Sequence, residues 1–360
     1  MLQKFLASGI ALSFIVSGYS QDSVTVAAAA EESPKPVISG YVDVYYRWNF
    51  ANAKNVGDDG VFNNYTSFTS SQNSFELGMA SVRLDHSFGK VSVVADLGFG
   101  KRAEDFSYND ANTMLAIKQA YLSYAVNDKL KLSAGSWATH VGYELVDPYL
   151  NRNYSMSYMF SYGPFFHTGV KAEYTAGKSG FMVGLLNPTD LKSANFQQKM
   201  IGAQYSYAAS DKLKFYLNYI GGKAADDQNL HQGDLVILGT VTDKFSIGYN
   251  GTVQSRKYKD ETGKYGEADS WWGSALYFNV DPTPTFGLTL RSEYFSDKKG
   301  VLDFGTNIFA NTLSVNLKAG PLTFIPELRY ENAKDEIYVK KEGEGTKSTF
   351  TALLAAVYKF

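Results

Sequence analysis

From residue 37 to the carboxy terminus the chain alternates apolar and polar residues at period two, with no comparable stretch of apolar residues at helical spacing. The clearest segment is 39–50. Gly40, Val42, Val44, Tyr46, Trp48 and Phe50 are apolar or aromatic, whereas Ser39, Tyr41, Asp43, Tyr45, Arg47 and Asn49 are largely polar. Neighbouring side chains of a strand point to opposite faces, so this pattern puts one face in an apolar medium and the other in water. The same alternation returns in Val91, Val93, Ala95, Leu97 and Phe99, in Leu213, Phe215, Leu217 and Tyr219, and in Leu313, Val315 and Leu317.

The segments between these strands come in two sizes. Short turns at 86–90, 126–129, 176–180, 208–212, 242–244, 281–285 and 319–321 interleave with longer polar connections, among them 51–73, 101–112, 137–166, 221–231, 254–269, 296–305 and 332–347. Short turns at one end and long loops at the other are the anatomy of an outer-membrane barrel. Seven short turns and eight long connections give about 16 strands, with both chain ends on the short-turn side. The weakest strands are 74–85, whose apolar phase shifts near Ala80, and 232–241. Strands facing lipid must close on themselves, because the bilayer core cannot hydrogen-bond a free edge. The expected fold is therefore all-β: a transmembrane, antiparallel, up-and-down barrel. A soluble β-sandwich or propeller also alternates, but a propeller should repeat a blade motif every ~40 residues, and no such repeat is visible.

The final strand carries apolar residues at every second position, Ala352, Leu354, Ala356, Tyr358 and Phe360. It resembles the carboxy-terminal signal that the barrel-assembly machinery recognises. At the other end, residues 1–20 read as a signal peptide: Lys4 precedes an apolar run, 5–18, that ends in small residues and is too short to span a bilayer. Cleavage after Ser20 is expected, with the Ala27 to Ala30 run as a second candidate site; residues 21–36 read as a leader or linker, and the barrel as 37–360. The chain has no cysteine, so neither a disulfide framework nor a lipid-modified cysteine is available. A net charge of -2 argues against a nucleic-acid partner.

Several segments carry a family resemblance: the opening Ser39-Gly40-Tyr41-Val42-Asp43, the strand Gln119-Ala120-Tyr121-Leu122-Ser123-Tyr124, the stretch Gly135 to Glu144, Asn153-Tyr154-Ser155, and Pro164 to Val170. Together, in this order, they resemble the OmpL-like β-barrel porin family across nearly all of the chain after the leader. The resemblance implies a passive porin and leaves the solute undefined.

If the apolar phase faces lipid, the opposite phase lines the interior. It presents Arg47, Arg83, Lys131, Lys171, Lys214, Arg291, Lys318 and Arg329 against Asp43, Asp85, Asp96, Glu173, Glu293, Glu327 and Glu331. A charge on the lipid face would cost ~2–4 kcal/mol near the midplane, so placement on the polar phase supports this orientation. At ~16 strands a barrel leaves an aqueous channel. The nearly balanced lining predicts passive, weakly selective diffusion of small hydrophilic solutes; mutual salt-bridging that only stiffens the wall is the plainer reading of the same charges. The long connection 137–166 is the candidate for a loop folded into the lumen, with Glu144 and Arg152 at a constriction; an external surface loop is its alternative.

Nothing in the sequence nominates catalysis or a cofactor; the acidic pairs Asp58-Asp59 and Asp226-Asp227 could bind calcium outside the barrel, but chance acidic pairs in loops are the plainer reading and no metal site is expected. His86, His140, His167 and His231 are scattered, and no nucleophile elbow or phosphate loop is present. Tyr46, Trp48, Phe50, Tyr124, Tyr207, Tyr219, Trp272, Tyr294, Tyr330 and Tyr358 suit the interfacial girdles of a barrel. Tyr41, Tyr45 and Tyr121 fall on the inner phase, where a row of aromatics could guide sugars. An occluded structural or adhesive barrel and a barrel enzyme stay as alternatives. The expected partners are outer-membrane lipids and small solutes, and the choice between monomer and homotrimer is open.

Overall fold

The computed structural model describes residues 34–53, 63–194 and 197–360. The signal peptide and most of the leader expected at 1–36 lie outside them, as does the Asp58-Asp59 pair.

Sixteen strands close into one antiparallel barrel. In chain order they are β1 (Val37–Asn49), β2 (Ser74–Phe88), β3 (Val91–Phe99), β4 (Ile117–Ala125), β5 (Leu130–Ala138), β6 (Phe166–Ala176), β7 (Ser179–Leu186), β8 (Met200–Ser210), β9 (Leu213–Lys223), β10 (Gln228–Thr242), β11 (Phe245–Tyr258), β12 (Asp269–Thr283), β13 (Phe286–Ser296), β14 (Asn307–Ala319), β15 (Leu322–Ala333) and β18 (Ser348–Lys359). The remaining two strands, β16 (Tyr338–Val339) and β17 (Gly345–Thr346), make a small hairpin inside the last long connection. Each barrel strand pairs with its sequence neighbour, and β1 pairs with β18, for example Val42 with Tyr358 and Val44 with Ala356. Closure leaves no edge to be satisfied by lipid.

The phases fall as alternation dictates. Val42, Val44, Leu122, Leu217, Leu313, Leu328 and Leu354 are exposed on the outer wall, and Asp43, Arg47, Asn218, Asn250, Arg291 and Glu327 are buried inside. Outward aromatics ring the barrel near both strand ends, including Tyr124, Tyr207, Trp272, Tyr330, Tyr358 and Phe360. The connection expected at 221–231 is shorter than its polar sequence suggests. β9 runs on to Lys223 and β10 starts at Gln228, because Gly221 and Gly222 pair with His231 and Leu230 and extend the ladder.

Besides register shifts next to the short turns, at 208–210, 240–242 and 280–283, two bulges break the alternation within strands. In β2, Gly78 has no partner between the Asp43–Met79 and Val44–Leu77 pairs, so Gly78 and Met79 both turn inward and the apolar phase shifts before Ala80. In β4, Lys118 is the extra residue between the Asp96–Gln119 and Leu97–Ile117 pairs. Strict alternation puts Lys118 beside Leu122 and Tyr124 on the lipid face; the bulge carries it into the interior, where it is buried.

Candidate functional site

The connection between β5 and β6, residues 139–165, folds into the barrel and runs most of its depth. It includes a single 3-10 turn, Pro148–Leu150, and one short α-helix, α1 (Tyr158–Ser161). Near its tip, Arg152 pairs with Asp281 at 2.6 Å, and Asp281 lies two residues from the short-turn end of β12. Tyr149 packs on Tyr41, and the Lys359 ammonium sits over its ring. The loop touches several sectors of the wall: His140 Nε2 lies 3.0 Å from the Tyr219 carbonyl oxygen, and the Gly142 and Tyr143 amides donate to Asp234 and Asn250. The Tyr154 hydroxyl donates to Asp43 on the opposite side.

Its strongest attachment is to β13–β15. On the inner face Arg291, Thr312 and Arg329 are cross-strand partners and continue to Thr351 in β18. Two residues away along the strands, ~7 Å for a pleated chain, Glu293, Ala310 and Glu331 form the next row toward the loop end. Thr289, Ser314 and Glu327 form the next row on the other side. A basic row is thus flanked by acidic ones, and the loop's main chain lies across all three. Glu327 accepts from the Tyr154 and Ser155 amides at 2.9 and 3.2 Å, and Glu293 from those of Tyr158 and Met159 at 3.0 Å each. Arg291 donates to the Ser155 and Met156 carbonyls, and Arg329 to that of Met156. Ionised partners make these hydrogen bonds about twice as strong as neutral ones.

The expected lining residues occupy two environments. Asp43, Arg47, Asp96, Arg291, Glu293, Glu327, Arg329 and Glu331 are buried against the loop or its supports. Asp96 pairs with Lys118, which also reaches Asp147 of the loop at 2.7 Å. Toward the short-turn mouth the charges are more open: Arg83 pairs with Asp85 at 2.7 Å, and Lys131 and Lys171 share Glu173 at 3.1 and 3.4 Å. Lys214 and Lys318 are half-buried and make no ion pair among the described residues. Glu144 and Arg152 do enter the lumen, but they do not face each other. Glu144 pairs with Arg291 at 2.5 Å and Arg152 with Asp281. Tyr41 and Tyr45 are covered as well: Tyr41 donates to Asp147 and Tyr45 packs on Tyr154, so neither offers a bare sugar-guiding face.

Alternation alone missed three interior groups. Lys118 is inverted by its bulge. Asp234, on the weak strand β10, is buried and accepts from Asn218 and Asn250. Arg102 belongs to the connection after β3 and lies buried between the Phe68 and Tyr154 rings, donating to the Val146 carbonyl. A lysine on an otherwise lipid-facing phase was the available signal for Lys118.

The histidines are less scattered than their sequence positions suggest. His140 and His167 pack with their ring centroids 4.9 Å apart and their planes tilted by 48°, and His167 Nε2 lies 3.0 Å from Thr139 Oγ1. Where the loop rejoins the wall, Asp190 of the connection 187–199 accepts from the Phe165 and Phe166 amides at 2.7 and 2.9 Å. Burial pushes the Asp190 carboxyl up to about 7, against those two amide bonds, which favour its ionised form. Lys192 pairs with Asp110 at 2.6 Å and fastens the same connection to the one after β3.

Two small spaces lie beside the loop. One lies between Gly142, Tyr143 and Leu145 and the wall at Tyr216, Asn218, Val236 and Leu238. The other lies between Ser155 of the loop and Arg47, Glu327, Arg329, Thr351 and Leu353 of the wall.

Solved outer-membrane proteins share the fold. OmpT of Vibrio cholerae is 12% identical with a TM-score of 0.59, over 91% of this chain and 100% of that one. An anion-selective porin from Comamonas acidovorans is 12% identical with a TM-score of 0.60, over 91% and 99%. The outer membrane channel DcaP of Acinetobacter baumannii is 13% identical with a TM-score of 0.60, over 90% and 97%. No curated protein sequence matches the chain. The sequence profile of the family described as "Putative beta-barrel porin-2, OmpL-like" matches residues 37–360, the whole barrel from its first strand to its last residue, and the chain belongs to that family.

Proposed function

We propose that the protein is an outer-membrane porin through which small hydrophilic solutes diffuse passively, with weak charge selectivity and with loop 139–165 setting the size limit. The observation that carries this reading is a closed sixteen-strand wall whose interior alternates basic and acidic rows. Such a lining presents a transverse field that hydrates polar solutes and disfavours apolar ones. The buried ion pairs hold the loop, while the more open charges at Arg83, Asp85, Lys131, Lys171, Glu173, Lys214 and Lys318 face the path near the short-turn mouth. Export by the signal peptide at 1–20, insertion through the strand ending at Phe360, and a homotrimer belong to the same proposal. OmpT of Vibrio cholerae has been solved in a trimer form, and a lipid-facing outer wall is compatible with such packing. The His140–His167 pair meets Thr139, and among the described residues no carboxylate hydrogen-bonds either ring to orient it, which gives no support to nucleophilic catalysis.

Because the loop bonds to several sectors of the wall, a barrel closed at rest is the second reading. Proteoliposome swelling with sugars of increasing size tests both. Entry of pentoses with a steep fall-off by disaccharides is expected. Failure of every sugar to enter contradicts the porin reading and favours the closed barrel.

A further inference from the structure

The rows on β13–β15 recognise main chain, and this sets a solute class. Over residues 152–159 the wall satisfies the amides of Tyr154, Ser155, Tyr158 and Met159 and the carbonyls of Ser155 and Met156. The carbonyl of Arg152 is taken by Asn316 of β14 at 2.9 Å. Glu293 and Glu327 accept backbone amides, and Arg291 and Arg329 donate to backbone carbonyls, so most of this recognition is independent of the loop's side chains.

We propose that this wall is a peptide-backbone site, that the channel takes short peptides, and that segment 152–159 occupies the site as an internal surrogate. The proposal rests on the porin reading above. A peptide is the solute that can replace the segment bond for bond: its amides fit the carboxylates of the outer rows, and its carbonyls fit the guanidiniums between them. A sugar offers hydroxyls in no such alternation. If the segment leaves with nothing in its place, water must satisfy all of these charges, whereas an incoming peptide restores the same hydrogen bonds. Exchange of one main chain for another therefore costs less than opening alone.

Trialanine and trisarcosine have the same atoms and the same terminal charges, but trisarcosine has no peptide N–H. Single-channel recordings of the full-length protein, with either peptide added on the loop side, separate backbone recognition from size and charge. Trialanine is expected to interrupt the current for about tenfold longer than trisarcosine, the equivalent of one charge-assisted hydrogen bond. In E293Q/E327Q the two peptides are expected to become equal. Channels that conduct and respond alike to both peptides overturn the peptide site and leave the porin reading intact. A difference that persists undiminished in E293Q/E327Q overturns the assignment to this wall. A protein that carries no ion current overturns the porin reading, and the peptide site with it.

Discussion

Arg291 of β13 and Glu144 of the internal loop meet at 2.5 Å, both buried, and this pair joins the loop to the barrel wall. Arg291 continues from it to the carbonyls of Ser155 and Met156, and Glu144 also accepts from the Ser157 amide. One ion pair therefore organises a turn of main chain as well as a contact.

Removing one member of a buried pair leaves the other charged and uncompensated, typically at a cost of about 3–5 kcal/mol. E144Q is expected to release residues 152–159 from the wall, with faster amide exchange there and little change in strands on the far side, such as β6 and β7. Unchanged exchange at Ser155 and Met156 would show that the pair does not hold the loop.

Gly78 gives a second test, through space alone. A side chain on it would overlap the Asp43 carboxylate and the Tyr154 hydroxyl, which are bonded to each other. G78A should displace that contact and destabilise the barrel by about 1–3 kcal/mol, as overpacking does. Denaturant unfolding in detergent measures the loss. A variant as stable as the parent would mean that the bulge has room to yield.

Much of this architecture was legible because a barrel wall exposes its physics in the chain. Lipid outside and polar groups inside force period two, and the contrast between short turns and long loops fixes the strand order. Asp43, Arg47, Arg291, Glu327 and Arg329 were readable as interior residues on that basis alone. What alternation cannot show is where it fails. Lys118 was lost to a bulge, and the shift at Ala80 was visible without its cause at Gly78. Nor does a strand pattern say what a loop does once inside. Glu144 and Arg152 were readable as interior loop charges, but their partners Arg291 and Asp281 lie more than a hundred residues away and are fixed only by tertiary packing.

Asp190 sets a pH dependence. Its carboxyl titrates near 7 in the folded protein, against an ordinary value near 4, because burial disfavours the charge. A group raised in this way contributes stability that is complete below about pH 4 and is lost as pH rises toward and through 7. Exchange protection of the Phe165 and Phe166 amides, corrected for intrinsic rates, should fall between pH 5 and 8, and D190N should flatten the trend. Protection that rises over that interval would contradict the assignment.

At the short-turn mouth, Lys131 and Lys171 both neutralise Glu173. The double variant K131A/K171A removes two positive charges and leaves the carboxylate facing the path. Reversal potentials in a salt gradient are expected to move toward cation preference, and more so at low ionic strength, where screening is weaker. An unchanged potential would place these lysines away from the conducting path.

The most direct test of the account compares the single-channel conductance of the full-length protein with that of a variant whose loop is shortened between Gly142 and Gly163. Stepwise openings in both, several-fold larger in the shortened variant, are the expected result, because shortening a loop that restricts a water-filled lumen widens the path. Equal conductances would contradict the role given to the loop, and silence in both would contradict the channel itself.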